Sequence, residues 1–128
     1  MEEHLLSFCK ITIVSNDIAE VVVNEGVVFD ETMVDEYYNF LKSHLKAPFS
    51  LLINKKNSYS YTFGAQRQVA NMPDVNVMAV VVGSSAGLLS NSTLTKINNS
   101  NSWNIKLFKK RHQALDWLES HAVERTAV

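Results

Sequence analysis

The chain has 128 residues, 46% of them hydrophobic and 20% charged, with a formal net charge of -1. That length carries one domain with a self-sufficient core, and the hydrophobic content excludes a disordered chain. No basic run exceeds Lys109-Lys110-Arg111, which argues against a nucleic-acid partner, since phosphate neutralisation needs a basic face.

Further exclusions follow from single residues. Cys9 is the only cysteine, so no intrachain disulfide forms and no metal site rests on cysteines alone. The opening Met1-Glu2-Glu3-His4 is acidic where a secretory signal is basic. The most apolar stretch, Val77 to Val82, is far too short to cross a bilayer. The expectation is a single cytoplasmic domain over 1–128, with its core over about 4–122 and no membrane insertion.

Residues 4–14 are dense in β-formers and predict a strand, with an apolar phase shift near Phe8 and Cys9 that fits a bulge or twist. Ser15-Asn16-Asp17 is turn chemistry and Ile18 to Val23 a second strand, so these two pair as an antiparallel hairpin. Asp30 is placed to cap a helix, with Phe29 and Val34 at staple spacing. Val34, Tyr37, Tyr38, Leu41 and Leu45 recur at helical spacing through Lys46, and Pro48 ends the helix.

Phe49 to Ile53 predicts a short strand, Asn54 to Ser60 a polar loop, and Tyr61 to Met72 a helix stopped by Pro73. Val75 to Val82 has the unbroken apolar character of a strand buried on both faces. Gly83-Ser84-Ser85 leads to a third helix carrying Ala86, Leu89, Leu94 and Ile97. Trp103, Ile105 and Leu107 alternate as an edge strand, and Ala114, Leu115, Leu118 and Ala122 mark a fourth helix before a frayed end at 124–128. The order β-β-α-β-α-β-α-β-α implies an α/β fold with a mostly parallel sheet opened by a hairpin.

Ligands and partners of such sheets sit at the carboxyl ends of the strands. One loop there is Asn54-Lys55-Lys56-Asn57-Ser58-Tyr59-Ser60, where Ser58 or Ser60 is either a phosphorylation site or the cap of the next helix. Tyr59, Tyr61 and Phe63 alternate through its end, as an aromatic cover over the core or as a ligand- or partner-binding surface. The second loop, with Ser84 and Ser85, lacks the spacing of a dinucleotide fingerprint or a P-loop. Of His4, His44, His112 and His121, no two have the close spacing of a metal pair on one helix, and Cys9 lies in an expected strand where inert packing is the better reading than nucleophilic chemistry. Asp30, Glu31, Asp35 and Glu36 fit capping and a solvated helix face. The residues thus predict no catalytic constellation, no metal site and no cofactor.

The closing segment Ile105-Lys106-Leu107-Phe108, then Gln113-Ala114-Leu115-Asp116-Trp117-Leu118, combines with the opening hairpin and the Val75 to Val82 strand in a pattern that resembles the STAS domain. The closer resemblance is to the SpoIIAA-like group of small bacterial proteins. It implies a non-enzymatic module that binds a protein partner, in some members under control of phosphorylation, and leaves a homodimer open. In the antagonist members the modified serine stands in an Asp-x-Ser pattern at the start of the helix after the third strand. Here Ser58 is the nearest counterpart and Ser60 the next, with no Asp before them. A different class of reading is a small-molecule or apolar-ligand domain with a pocket at Tyr59, Tyr61 and Phe63, near the loop after that strand.

Overall fold

The computed structural model describes residues 2–70, 72–82 and 105–126. The expected third helix, Trp103, Ser84 and Ser85 lie outside them.

The first expected strand is two strands. β1 (Glu2–Leu5) and β2 (Cys9–Ser15) pair antiparallel, with Glu3 opposite Thr12 and Leu5 opposite Lys10. The phase shift at Phe8 marks a reversal of the chain rather than a bulge, closed by the Leu6 N–H donating to the Cys9 carbonyl at 2.8 Å. β2 then forms the expected hairpin with β3 (Ile18–Val23), placing Thr12 opposite Glu20.

Gly26, at φ +80°, turns the chain after β3 in the left-handed region that favours glycine. It leads to a two-residue strand, β4 (Val28–Phe29), and then to α1 (Glu31–His44). Asp30 caps that helix as expected, its carboxylate accepting from the Met33 N–H at 2.9 Å. Val34, Tyr37 and Leu41 are its buried face, matching the apolar spacing.

β5 (Phe49–Lys55) runs two residues further than its apolar run, so Asn54 and Lys55 belong to the strand and not to the loop. β6 (Ser60–Tyr61) pairs parallel with β4, Val28 opposite Ser60 and Phe29 opposite Tyr61. That small ladder occupies what reads as the first turn of a helix. The helix itself, α2 (Phe63–Ala70), starts later and is capped by Thr62, whose Oγ1 accepts from the Ala65 N–H at 3.2 Å. Neither Ser58 nor Ser60 is the cap. β7 (Val75–Val82), β8 (Ile105–Phe108) and α3 (Arg111–Thr126) complete the described chain, α3 continuing past the expected end at Ala122.

The large sheet has the order β1-β2-β3-β5-β7-β8, with β3, β5, β7 and β8 mutually parallel. Strand alternation splits its side chains between two cores. Ala19, Val21, Val23, Leu51, Ile53, Met78 and Val80 face α1 and α2, where Val34, Tyr37, Leu41, Ala65 and Val69 meet them. Ile18, Leu52, Val77, Ala79 and Val81 face the other way, under Ala114 and Leu118 of α3. Each fully buried aliphatic side chain contributes about 1.5–3 kcal/mol of transfer free energy, so both layers are firmly held.

Candidate functional site

β3 is buried along its whole length, yet its middle residue is Glu20, 8% exposed. An ionised carboxylate there needs partners, because burial without them costs several kcal/mol. Arg111, at the start of α3, supplies them. Its Nε donates to both carboxylate oxygens at 3.0 and 3.1 Å, and its Nη2 donates to Oε1 at 2.7 Å. Asn54 Nδ2, from the end of β5, donates to Oε2 at 3.0 Å. Burial opposes ionisation of Glu20, but the Arg111 and Asn54 hydrogen bonds and the charges of Arg111 and Lys10 outweigh it, holding the carboxyl below its ordinary range.

A cavity of about 630 Å3 opens on this network. α3 packs on β5, β7 and β8, and the cavity lies beside it on the same sheet face, toward β1 to β3. Its walls are Glu3 of β1, Lys10 and Thr12 of β2, Glu20 and Val22 of β3, Asn54 of β5, Lys56 and Arg111. Sheet register places these side chains together: Thr12 stands opposite both Glu3 and Glu20, and Lys10 opposite Val22. Lys10 and Glu3 approach to 3.7 Å at the rim, an exposed pair worth under about 1 kcal/mol.

The residues singled out by sequence fall mostly elsewhere. Asn54 lines the cavity; Tyr59, Tyr61 and Phe63 do not. Tyr59 and Tyr61 pack against the core beneath α1 and α2, their rings 5.5 Å apart and their hydroxyls 3.4 Å apart. Burial pushes both phenols above their ordinary values. Lys55 stands 4.6 Å over the Tyr59 ring, and burial lowers its ammonium. Asn57 Nδ2 donates to the Val23 carbonyl at 3.0 Å. Ser58 is exposed, its N–H held by Glu25 at 3.1 Å and its carbonyl accepting from Gly26 at 2.7 Å. Ser60 is exposed in β6, and Phe63 opens α2 with 67% exposure.

Glu20, Lys10, Thr12 and Lys56 carry no motif, and Arg111 stands out only as the end of a short basic run. One signal was available. A lone carboxylate centred in Ile18-Ala19-Glu20-Val21-Val22-Val23 is anomalous in a strand with apolar neighbours on every side.

No family model and no curated protein matches the chain. A solved structure does match: an uncharacterised protein of the DUF3478 family with a SpoIIAA-like fold, from Shewanella loihica PV-4. The two share 16% identity, with 92% of this chain and 98% of that one covered and a TM-score of 0.55. The chain has the SpoIIAA-like fold that its hairpin, buried strand and closing helix imply. At that identity the likeness concerns the fold alone. Among the described residues, no helix is long and apolar enough to cross a membrane.

Proposed function

We propose that the chain is a non-enzymatic, cytoplasmic binding module that docks a protein partner on the surface made by β4, β6 and the first turn of α2. The observation that carries this reading is a pair of exposed apolar side chains around Ser60. Val28, 57% exposed, lies opposite Ser60 in the ladder, and Phe63, 67% exposed, follows three residues later. Exposed apolar groups gathered near one point are what a partner buries, and an aromatic is the type that most often dominates the binding energy. The same helix start is where antagonists of this fold carry their switch serine, which makes Ser58, the nearer counterpart, and Ser60 the candidates for regulation here. The lone thiol, Cys9, is buried and suits a reducing compartment.

The test is a crosslinked pull-down from the native cell with three baits: wild type, a Val28→Asp, Phe63→Asp double variant, and Leu5→Asp as a control on a different exposed residue. A stoichiometric partner weakened roughly 30-fold or more in the double variant and retained by the control is the expected result. A partner held equally by all three, or none, overturns the reading. A Ser58→Asp, Ser60→Asp bait then reports whether charge at those serines releases the partner.

A further inference from the structure

We propose that the cavity between α3 and strands β1 to β3 binds a small molecule through an oxyanion group, a carboxylate or a phosphate. The site stands apart from the docking surface, which is built on the opposite face of the sheet, so each proposal fails or holds without the other.

Three cations line the cavity among the described residues. Lys10, Lys56 and Arg111 reach the cavity from β2, from the loop after β5 and from α3. Arg111 spends its Nε and part of Nη2 on Glu20. A guanidinium has five N–H donors in a planar fork; among the described residues its Nη1 edge has no acceptor and remains for a second one, and the group is 43% exposed. Glu20 fixes the orientation of that edge, since both carboxylate oxygens and Asn54 lock the pair from behind. Lys56 has no carboxylate within ion-pair distance among the described residues. The Thr12 hydroxyl adds a neutral donor on the facing strand.

The result is a preoriented Arg edge, a Lys unpaired among the described residues and a hydroxyl around one opening near the carboxyl ends of parallel strands, where such sheets hold ligands. The volume, about 630 Å3, exceeds that of a bare anion and suits a metabolite-sized molecule. Val22 provides an apolar floor for its remainder. Arg forks and Lys ammonium groups are the residues that recognise carboxylate and phosphate.

Titration of the full chain with inorganic phosphate, and separately with succinate, at constant ionic strength tests this by amide NMR at Thr12, Val22 and Asn54. Constant ionic strength removes general screening from the readout. Saturable shifts at these positions are expected for at least one probe, half-complete on the order of 1 mM, and the probe that binds identifies the group. Lys56→Gln, a change at an exposed position, is expected to weaken binding roughly fivefold or more, and Arg111→Lys likewise, because it keeps charge but loses the fork. Lys110→Gln, outside the cavity, is expected to leave it unchanged. No saturable shift for either probe up to about 50 mM, or wild-type affinity in Lys56→Gln, overturns the proposal.

Discussion

Glu20 and Arg111, 91 positions apart in the chain, meet in a two-point ion pair that ties the first turn of α3 to the middle of β3. The carboxylate is nearly buried while the guanidinium is 43% exposed, so the two partners are unequal. Removing Arg111 strands a buried charge; removing both leaves no buried charge, only the half-buried Asn54 amide without its acceptor. Arg111→Ala is expected to cost about 2 kcal/mol, below the loss for a fully buried pair because water already reaches the guanidinium. A Glu20→Leu, Arg111→Met double variant is expected to lose clearly less than the single one. Urea denaturation of the three chains decides, and equal losses would refute the asymmetry.

The same pair sets a dependence on acid. Glu20 has a folded carboxyl pKa below its ordinary 4.5, so the folded chain holds that proton less tightly than the unfolded one. The stability it contributes is complete above the ordinary carboxyl range and drains as pH falls through that range and below. Stability measured from neutral pH down to about pH 3 is therefore expected to fall more steeply in wild type than in Arg111→Ala, the two curves converging at the acid end. Parallel curves would place the acid sensitivity on other groups.

A second coupling joins α1 to α2. A Cβ on Gly64 would stand 2.5 Å from Glu31 Oε2 and 2.7 Å from its Cδ. Glu31 is meanwhile anchored by the Thr62 hydroxyl, which donates to its Oε1 at 2.6 Å. Gly64→Ala gains helix propensity but displaces that carboxylate. Alone it is expected to shift stability by under about 0.5 kcal/mol. In a Glu31→Ala background it is expected to stabilise by about 0.5–1 kcal/mol, the propensity gain alone. A double-mutant cycle by thermal unfolding measures the difference, and additivity would deny the contact.

Burial, with the charge of Glu36 adding to it, pushes the Cys9 thiol from 9.0 to about 12. The native protein is therefore expected to resist thiol reagents at mildly alkaline pH and to react only as fast as it unfolds. A stoichiometric, rapid reaction of the folded chain with an aromatic disulfide reagent would contradict this.

The elements with strong period or composition were readable from residues alone: α1 from its cap and apolar stripe, β7 from its unbroken run, the β2–β3 hairpin from its turn. What escaped did so for tertiary reasons. The reversal at Leu6 to Phe8 lies inside a continuous β-forming stretch, where only pairing distinguishes one strand from two. The β4–β6 ladder is two residues long on each side, and its residues fit a helix start equally well until Val28 is seen to lie beside Ser60. The Tyr59-Tyr61 alternation was legible, but not the fact that one sheet face takes these two tyrosines and the other takes the cavity. The Glu20 network draws on β2, β3, β5 and α3, and no local window contains two of its members.

Strand order carries a consequence for how the molecule is made. Every strand of the six-stranded sheet pairs with the strand of that sheet synthesised just before it. Growth can proceed outward from the ribosome one edge at a time, without threading a later strand between earlier ones. Glu20 joins that sheet early, while its cationic partner arrives with the last helix. Until then the nascent sheet presents that carboxylate to Asn54 and Lys10 alone, so the final helix acts as a closing latch whose docking brings the guanidinium that completes the network. Pulsed hydrogen exchange during refolding should find β2 and β3 amides gaining partial protection first and reaching full protection only when α3 docks.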